Sequence, residues 1–199
     1  MLPGEAQQEK EILEADDDKD VKNSSFCLLN AMQKNVKKQS ISISWKQVGG
    51  ASKYVVYGNL KGRKLKKLKT LSGTGYTAKK MKPGKMYQFV VAAYGGEKAL
   101  ATSKTILIAS AGGRIGNPTA VKVNKTAVHL SAGKTFKLKS SYKEEKPVKL
   151  CRKICYESSN PAVAKASRTG RIKAVAKGTC YVYAYAQNGL FKKVKVTVR

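Results

Sequence analysis

Residues 158–198 read SSNPAVAKASRTGRIKAVAKGTCYVYAYAQNGLFKKVKVTV, and the second half of this stretch decides the fold. From Gly178 onward, small or apolar residues alternate with tyrosines, which is the period of a strand with one buried face. Beyond the turn signal Gln187-Asn188-Gly189, valines alternate with lysines up to residue 198. An Asn-Gly pair between two alternating runs predicts a β-hairpin.

Two further turn signals precede this hairpin. Ser159-Asn160-Pro161 and Thr169-Gly170 have the composition of tight turns. The residues between them, 162–164, form a predicted short strand. Four strands within about forty residues indicate a small all-β module.

This region resembles a bacterial immunoglobulin-like domain of group 2, over residues 117–199. The resemblance rests on many spaced elements, namely a valine-rich opening strand at 121–130, Ala132-Gly133, Tyr156 before the SSNP turn at 158–161, Val163-Ala164, Gly170, Ala174-Val175, KGT at 177–179 and the closing strand at 194–198. The family often has Trp where Tyr156 stands, and a sandwich core accepts this change if the tyrosine hydroxyl reaches a partner. The resemblance implies a β-sandwich with Tyr156, Cys180, Val182 and Val196 in its core.

The preceding region has a second sandwich pattern. Ile41, Ile43 and Trp45 alternate with serines, and apolar strands at 54–57 and 89–94 follow turn signals. A Trp in the second strand, a Gly-Ala-x-x-Tyr entry to the third and a Pro-Gly-x-x-Tyr corner resemble a fibronectin type III domain over residues 25–110. The resemblance implies that Trp45 is buried and that the corner tyrosine, Tyr87, hydrogen-bonds to nearby backbone.

The two resemblances together imply an all-β fold of two tandem immunoglobulin-like β-sandwiches, and the length and composition agree with two small all-β modules. The 199 residues have room for two domains of roughly 80 to 90 residues, each large enough for one core. We predict an acidic disordered leader at 1–24, a fibronectin type III-like sandwich at 25–110, a Gly/Pro linker at 111–118 and an Ig-like sandwich of group 2 at 119–199.

Charge is distributed very unevenly along the chain. Eight of the 12 acidic residues lie within residues 1–20, so residues 21–199 carry 38 Lys and Arg against four acids, a net charge of +34. The chain has 34 Lys and only six Arg, which favours diffuse attraction to polyanions over bidentate recognition.

The densest basic run lies at residues 61–69. Its candidate polyanion-binding residues are Lys61, Arg63, Lys64, Lys66, Lys67 and Lys69. A second interpretation is a solvated edge strand whose lysines discourage aggregation. A third interpretation is a basic amphipathic helix that lies on an anionic membrane. A second surface feature is the predicted outward stripe of Tyr181, Tyr183 and Tyr185, which either packs across strands or stacks on bases or sugars.

The sequence offers little for catalysis. The single histidine, His129, is predicted to face solvent between Val128 and Leu130. With few carboxylates and no nucleophile motif, neither a catalytic triad nor a glycosidase carboxylate pair can be assembled, so we predict no enzyme, no cofactor and no metal site. A Cys155–Cys180 bridge is disfavoured because alternation points Cys155 outward and Cys180 into the core.

The two resemblances imply a non-catalytic spacer or adhesion module that is extracellular or on a cell surface. The expected partner is an anionic polymer, either teichoic acid or a host glycan, or else a surface protein; we expect a monomer. A nucleic-acid-binding basic protein and an accessory domain of a carbohydrate enzyme are the alternatives. Nucleic acid is disfavoured because no recognition helix, zinc finger or stacking motif is present. The first twenty residues lack the pattern of a signal peptide, and no apolar run reaches membrane-spanning length.

Overall fold

A computed structural model describes residues 27–199, and for Cys27 and Leu28 it describes the main chain. Every regular element in this part of the chain is a β-strand, and the chain divides into two compact units between Gly116 and Asn117. The all-β prediction is confirmed. The predicted leader, residues 1–24, lies outside the described residues.

From residue 27 onward, the first unit contains nine strands in two sheets. They are β1 (Cys27–Leu28), β2 (Met32–Val36), β3 (Ser40–Ser44), β4 (Lys53–Leu60), β5 (Lys66–Leu71), β6 (Gly75–Lys79), β7 (Met86–Gly95), β8 (Lys98–Thr102) and β9 (Ile106–Ala109). One sheet has the order β1-β8-β7-β4-β5 with β9 also on β7, and the other has the order β2-β3-β6.

The core of this unit lies between the two sheets. Ile41 and Ile43 of β3 are buried while the neighbouring serines are half-buried, as the alternation predicts. Trp45 is buried, which confirms the prediction, although β3 ends one residue before it. Its ring lies 5.5 Å from that of Tyr54, and its indole nitrogen has no hydrogen-bond partner in the described structure.

The predicted corner tyrosine is confirmed. The hydroxyl of Tyr87 accepts a hydrogen bond of 2.8 Å from the backbone N–H of Lys82, five residues earlier. The bond ties the turn before β7 to the strand itself. Tyr54 makes a similar bond, in which its hydroxyl accepts from the N–H of Val48 at 2.9 Å.

Strands β4 and β7 bury side chains on both faces. Besides the core between the sheets, a second apolar cluster occupies their opposite face; its buried members are Val55, Tyr57, Val90, Ala92 and Tyr94. The sequences of both strands are therefore nearly continuous apolar runs and do not alternate between apolar and polar residues.

The second unit also contains nine strands. They are β10 (Ala120–Val123), β11 (Ala127–Leu130), β12 (Thr135–Lys137), β13 (Ser140–Lys143), β14 (Cys155–Ser158), β15 (Ala164–Ala166), β16 (Arg171–Ala174), β17 (Gly178–Tyr185) and β18 (Phe191–Val198). They form sheets of order β11-β18-β17-β14, β12-β16-β15 and β10-β13. The predicted hairpin is β17–β18, which pairs from Gly178↔Val198 to Tyr185↔Phe191.

The core of the second unit contains the residues that the sequence predicted for it. Tyr156, Cys180, Val182 and Val196 are all buried. The Tyr156 hydroxyl makes a short hydrogen bond with the hydroxyl of Ser140, so the tyrosine has the polar partner that its place in a sandwich core requires.

Two predicted strands of this unit are wrong in their bounds. Residues 161–163 form a turn, and the strand begins at Ala164, because the backbone carbonyl of Asn160 accepts from the N–H groups of Val163 and Ala164 and its side chain accepts from Ala162. The single opening strand at 121–130 is two strands, since Asn124 pairs with Lys139 and the chain then changes from β13 to β18.

The start of the predicted linker packs against the first unit. Ala111 accepts a hydrogen bond from the N–H of Gly84. A Cβ at Gly113 would lie 2.6 Å from the Cα of Gly84, so the two main chains touch where only glycine fits.

We expect Trp45→Ala to lower the free energy of unfolding by roughly 3 to 5 kcal/mol, because it leaves a cavity between the two sheets. Trp45→Phe should cost less, since it keeps a ring and the lost indole N–H has no partner. Urea denaturation followed by far-UV circular dichroism measures both. Equal costs would show that the ring is not what fills this core.

Tyr87→Phe should lower the free energy of unfolding by about 1 to 2 kcal/mol, because the N–H of Lys82 loses its acceptor. The matched control is Tyr142→Phe in β13, whose hydroxyl has no hydrogen bond among the described residues. The same denaturation experiment should show no change for the control. A neutral Tyr87→Phe would contradict the clamp.

Candidate polyanion-binding edge

The six basic residues predicted from the sequence lie on one turn and one strand of the first unit. Lys61, Arg63 and Lys64 occupy the turn and the residues that follow β4, and Lys66, Lys67 and Lys69 belong to β5. All six side chains are exposed, and β5 is the last strand of its sheet. The helical interpretation of this run is wrong and the edge-strand interpretation is confirmed. We call these six residues the lysine edge.

Side-chain amides hold the turn of the lysine edge in place. Asn59 donates to the carbonyl of Lys64 at 2.7 Å and accepts from the N–H of Leu60 at 2.8 Å. Gln88, on the neighbouring strand β7, donates to the carbonyl of Arg63 at 2.5 Å. The turn also needs glycine at position 62, where φ is +86°. Its basic side chains therefore start from a fixed backbone.

The lysines of β5 project to both sides of the sheet. Lys67 pairs with Tyr57 and Lys66 with Gly58, and neighbouring residues of a strand point to opposite faces. A bulge between Val56 and Tyr57 shifts the register, so Lys69 pairs with Val56. The positive charge thus wraps around the edge instead of covering one face.

Few carboxylates are available to neutralise this edge. Glu97 is the only acidic residue in residues 27–116, where 18 Lys and Arg are found. Side chains of one sign on a short edge repel one another and attract a polyanion.

A second surface lies on the hairpin β17–β18 of the other unit. Tyr181 and Tyr183 pair with Lys195 and Lys193, so aromatic and basic side chains alternate on one face of the sheet. We call these four residues the tyrosine–lysine face. The Lys193 ammonium lies 4.7 Å from the centroid of the Tyr181 ring, a cation–π contact.

The third member of the predicted tyrosine stripe differs from the other two. Tyr185 is buried, not outward and wet, because it packs against Phe191 at 5.7 Å and lies near-parallel to Tyr183 at 6.0 Å between ring centroids. Burial, and then the nearby Glu157 carboxylate, raise the pKa of Tyr185 well above its usual value, so its hydroxyl stays protonated.

The cysteines and the histidine lie where the sequence predicted, as far as the structure describes them. Cys180 is a buried free thiol, and burial raises its pKa, which keeps it protonated and unreactive. In the sheet register Cys155 pairs with Tyr185 and Cys180 pairs with Val196, so the two cysteines do not lie opposite each other. His129 is exposed. Between residues 27 and 199, no three His, Cys, Asp or Glu side chains come together as a metal site would require.

We expect Asn59→Ala to destabilise the protein by about 1 to 2 kcal/mol, because two hydrogen bonds of the basic turn are lost. Amide hydrogen exchange should also accelerate at Arg63, whose N–H donates to Leu60 across this turn. The matched control, Asn35→Ala, removes an exposed asparagine of β2 and should change neither quantity. Unchanged exchange at Arg63 would contradict the clamped turn.

Two family models match the chain, one in each unit. Residues 31–103 match the family described as "PBP1-like, fibronectin3-like domain". Residues 118–198 match the family described as "Bacterial Ig-like domain (group 2)". Among curated proteins, the chain finds no match.

Solved structures similar to the chain include several fibronectin type III domains. One is from the human fibronectin type III domain containing protein 3, at 18% identity, a TM-score of 0.36 and coverage of 45% of this chain and 90% of that chain. Another is from human collagen alpha-1(XX), at 14% identity, a TM-score of 0.38 and coverage of 46% and 94%. A third is the FN5 domain of Drosophila Lar, at 20% identity, a TM-score of 0.36 and coverage of 42% and 92%.

Both family models match the regions in which the sequence patterns and the two sandwich cores lie. The described part of the chain contains no helix with the length and hydropathy that crossing a bilayer demands. Residues 31–103 therefore form a fibronectin type III-like domain, and residues 118–198 form a bacterial Ig-like domain of group 2.

Proposed function

We propose that this chain is a surface or secreted spacer and adhesion module that holds on to an anionic polymer through the lysine edge. The observation that carries the proposal is the placement of six exposed basic side chains on a clamped turn and an edge strand. Domains of these two kinds are typically non-catalytic, and group 2 bacterial Ig-like domains are typically found outside the cell.

The chemistry of the lysine edge favours a polymer with many negative charges. Five of its six basic residues are lysines, whose ammonium groups act as point charges and do not form the planar fork with which arginine recognises one carboxylate or phosphate. Such a surface binds by displacing counterions from a charged chain. Phosphate polymers of a bacterial wall, such as teichoic acid, and acidic host glycans both have this character.

The position of these lysines at the edge of the sheet would determine how a polymer contacts them. Because Lys66 and Lys67 point to opposite faces, a flexible polyanion can contact both by passing along the rim of the sheet. A rigid duplex presents its phosphates on a fixed surface and would contact one face only. The geometry therefore supports a flexible anionic polymer over double-stranded nucleic acid.

We expect binding to purified cell wall to weaken log-linearly with rising salt, as counterion displacement requires. Replacing Lys64, Lys66, Lys67 and Lys69 together by Gln should weaken binding and flatten the salt dependence. It should hardly change the free energy of unfolding, because exposed lysines contribute little to folding. A sedimentation assay on walls with and without teichoic acid measures the effect, and stripped walls should bind less.

The matched control removes the same charge from scattered positions. Lys34, Lys79, Lys122 and Lys165 are all exposed and lie on four different strands. Replacing these four by Gln should weaken binding clearly less than the change at the edge. Equal losses would mean that net charge alone drives binding, and salt-independent binding would overturn the proposal.

A further inference from the structure

The tyrosine–lysine face differs chemically from the lysine edge, because it combines aromatic rings with ammonium groups. Tyr181 and Tyr183 are half-buried, and their partners across the hairpin, Lys195 and Lys193, are exposed. Packing between side chains accounts for the contacts of these rings, but it does not use their hydroxyl groups.

The rings of this face are held before any ligand arrives. Tyr183 lies 5.3 Å from Phe191 in an edge-to-face contact and 6.0 Å from Tyr185, whose ring is within 15° of parallel. Tyr181 is held by the ammonium of Lys193. Rings fixed in this way lose little conformational entropy on binding, which is an advantage of aromatic residues at binding surfaces.

The hydroxyl groups of the two tyrosines are available to a ligand. Within the described residues, neither the Tyr181 hydroxyl nor the Tyr183 hydroxyl makes a hydrogen bond. Each can both donate and accept. Glu157 of the neighbouring strand β14 pairs with Tyr183, and its carboxylate accepts a hydrogen bond from the Tyr185 hydroxyl.

We propose that the tyrosine–lysine face binds a glycan whose sugar rings bear carboxylate or phosphate groups. The edges of the two tyrosine rings would pack against the carbon atoms of a sugar ring, because Tyr183 is already stacked on Tyr185 and Lys193 already lies over Tyr181. The free tyrosine hydroxyls would meet sugar hydroxyls, and Lys193 and Lys195 would meet the anionic groups. The charge of the face thus selects an acidic glycan over a neutral one.

Nucleotide bases fit this face less well. Base stacking needs an aromatic plane that is open on one side. The Tyr183 ring already packs against Tyr185 and Phe191, and Lys193 lies over the ring of Tyr181. Ring edges and hydroxyl groups remain available, and these suit a hydroxyl-rich ligand.

The test compares three soluble probes on the full chain by calorimetry. Tetragalacturonate has sugar rings and charge, maltotetraose has rings without charge, and a short polyphosphate has charge without rings. We expect Tyr181→Leu, and likewise Tyr183→Leu, to weaken tetragalacturonate binding about fivefold and to leave polyphosphate binding unchanged. Tyr181→Phe, which keeps the ring and loses the hydroxyl, should lie between wild type and Tyr181→Leu. Maltotetraose should bind more weakly than tetragalacturonate.

The control for the substitution is Tyr142→Leu, which removes a half-buried tyrosine from β13 and should change no affinity. If the tyrosine variants unfold, NMR of the wild type provides the test instead. The chemical shifts of the Tyr181 and Tyr183 ring protons should then change when tetragalacturonate is added. Wild-type shifts that stay fixed, or tyrosine variants that bind all probes as the wild type does, would overturn the inference. So would a single-stranded oligonucleotide that binds more tightly than tetragalacturonate and loses affinity in Tyr181→Leu.

Binding of an acidic glycan by the tyrosine–lysine face rests on the proposed function, but different variants test the two proposals. Loss of the lysine edge should weaken polyphosphate and tetragalacturonate alike, whereas loss of the tyrosines should affect the sugar alone. A lysine-edge variant that binds polyphosphate normally contradicts the proposed function only. A tyrosine variant that binds tetragalacturonate normally contradicts this inference only.

Discussion

The alternation of side chains along antiparallel strands is the constraint on which the rest of this structure depends. In β18 the buried residues are Val194, Val196 and Val198. Because alternate side chains of a strand point to opposite faces, Lys193 and Lys195 point into solvent. A slip of one residue in the register with β17 would turn those lysines into the core and the valines into solvent. The same apolar pattern that builds the core therefore fixes where every charge of the hairpin lies.

The residues that this alternation turns outward include many lysines, and residues 27–199 contain only four acidic residues. Residues 21–199 carry a net charge of +34, and like charges at this density repel one another and oppose the compact state. The two sandwich cores and the clamps at Tyr87 and Tyr156 counteract that repulsion. A polyanion bound to the folded chain as proposed would relieve this repulsion, so we expect its binding to raise folding stability.

Most of the fold could be predicted from the sequence because its strongest signals are local. The Asn-Gly turn and the alternating valines identified the hairpin, and the Pro-Gly-x-x-Tyr corner located the bond from Lys82 to Tyr87. What failed depended on distant partners. Asn124 divides the opening strand because it pairs with Lys139, and Tyr185 is buried because Phe191 lies opposite it. The candidate edge shows the same limit: its charge was visible in the sequence, but the clamp from Gln88 to Arg63 joins residues 25 positions apart.

In the proposed function the lysine edge, and not the general basicity of the chain, contacts the anionic polymer. The most direct measurement is the rate at which individual lysines are acetylated by a small reagent, read by mass spectrometry with and without soluble teichoic acid. We predict strong protection of Lys64, Lys66, Lys67 and Lys69 and little protection of Lys34 and Lys79, which are also exposed. Uniform protection of all exposed lysines, or protection that spares the edge, would contradict the account.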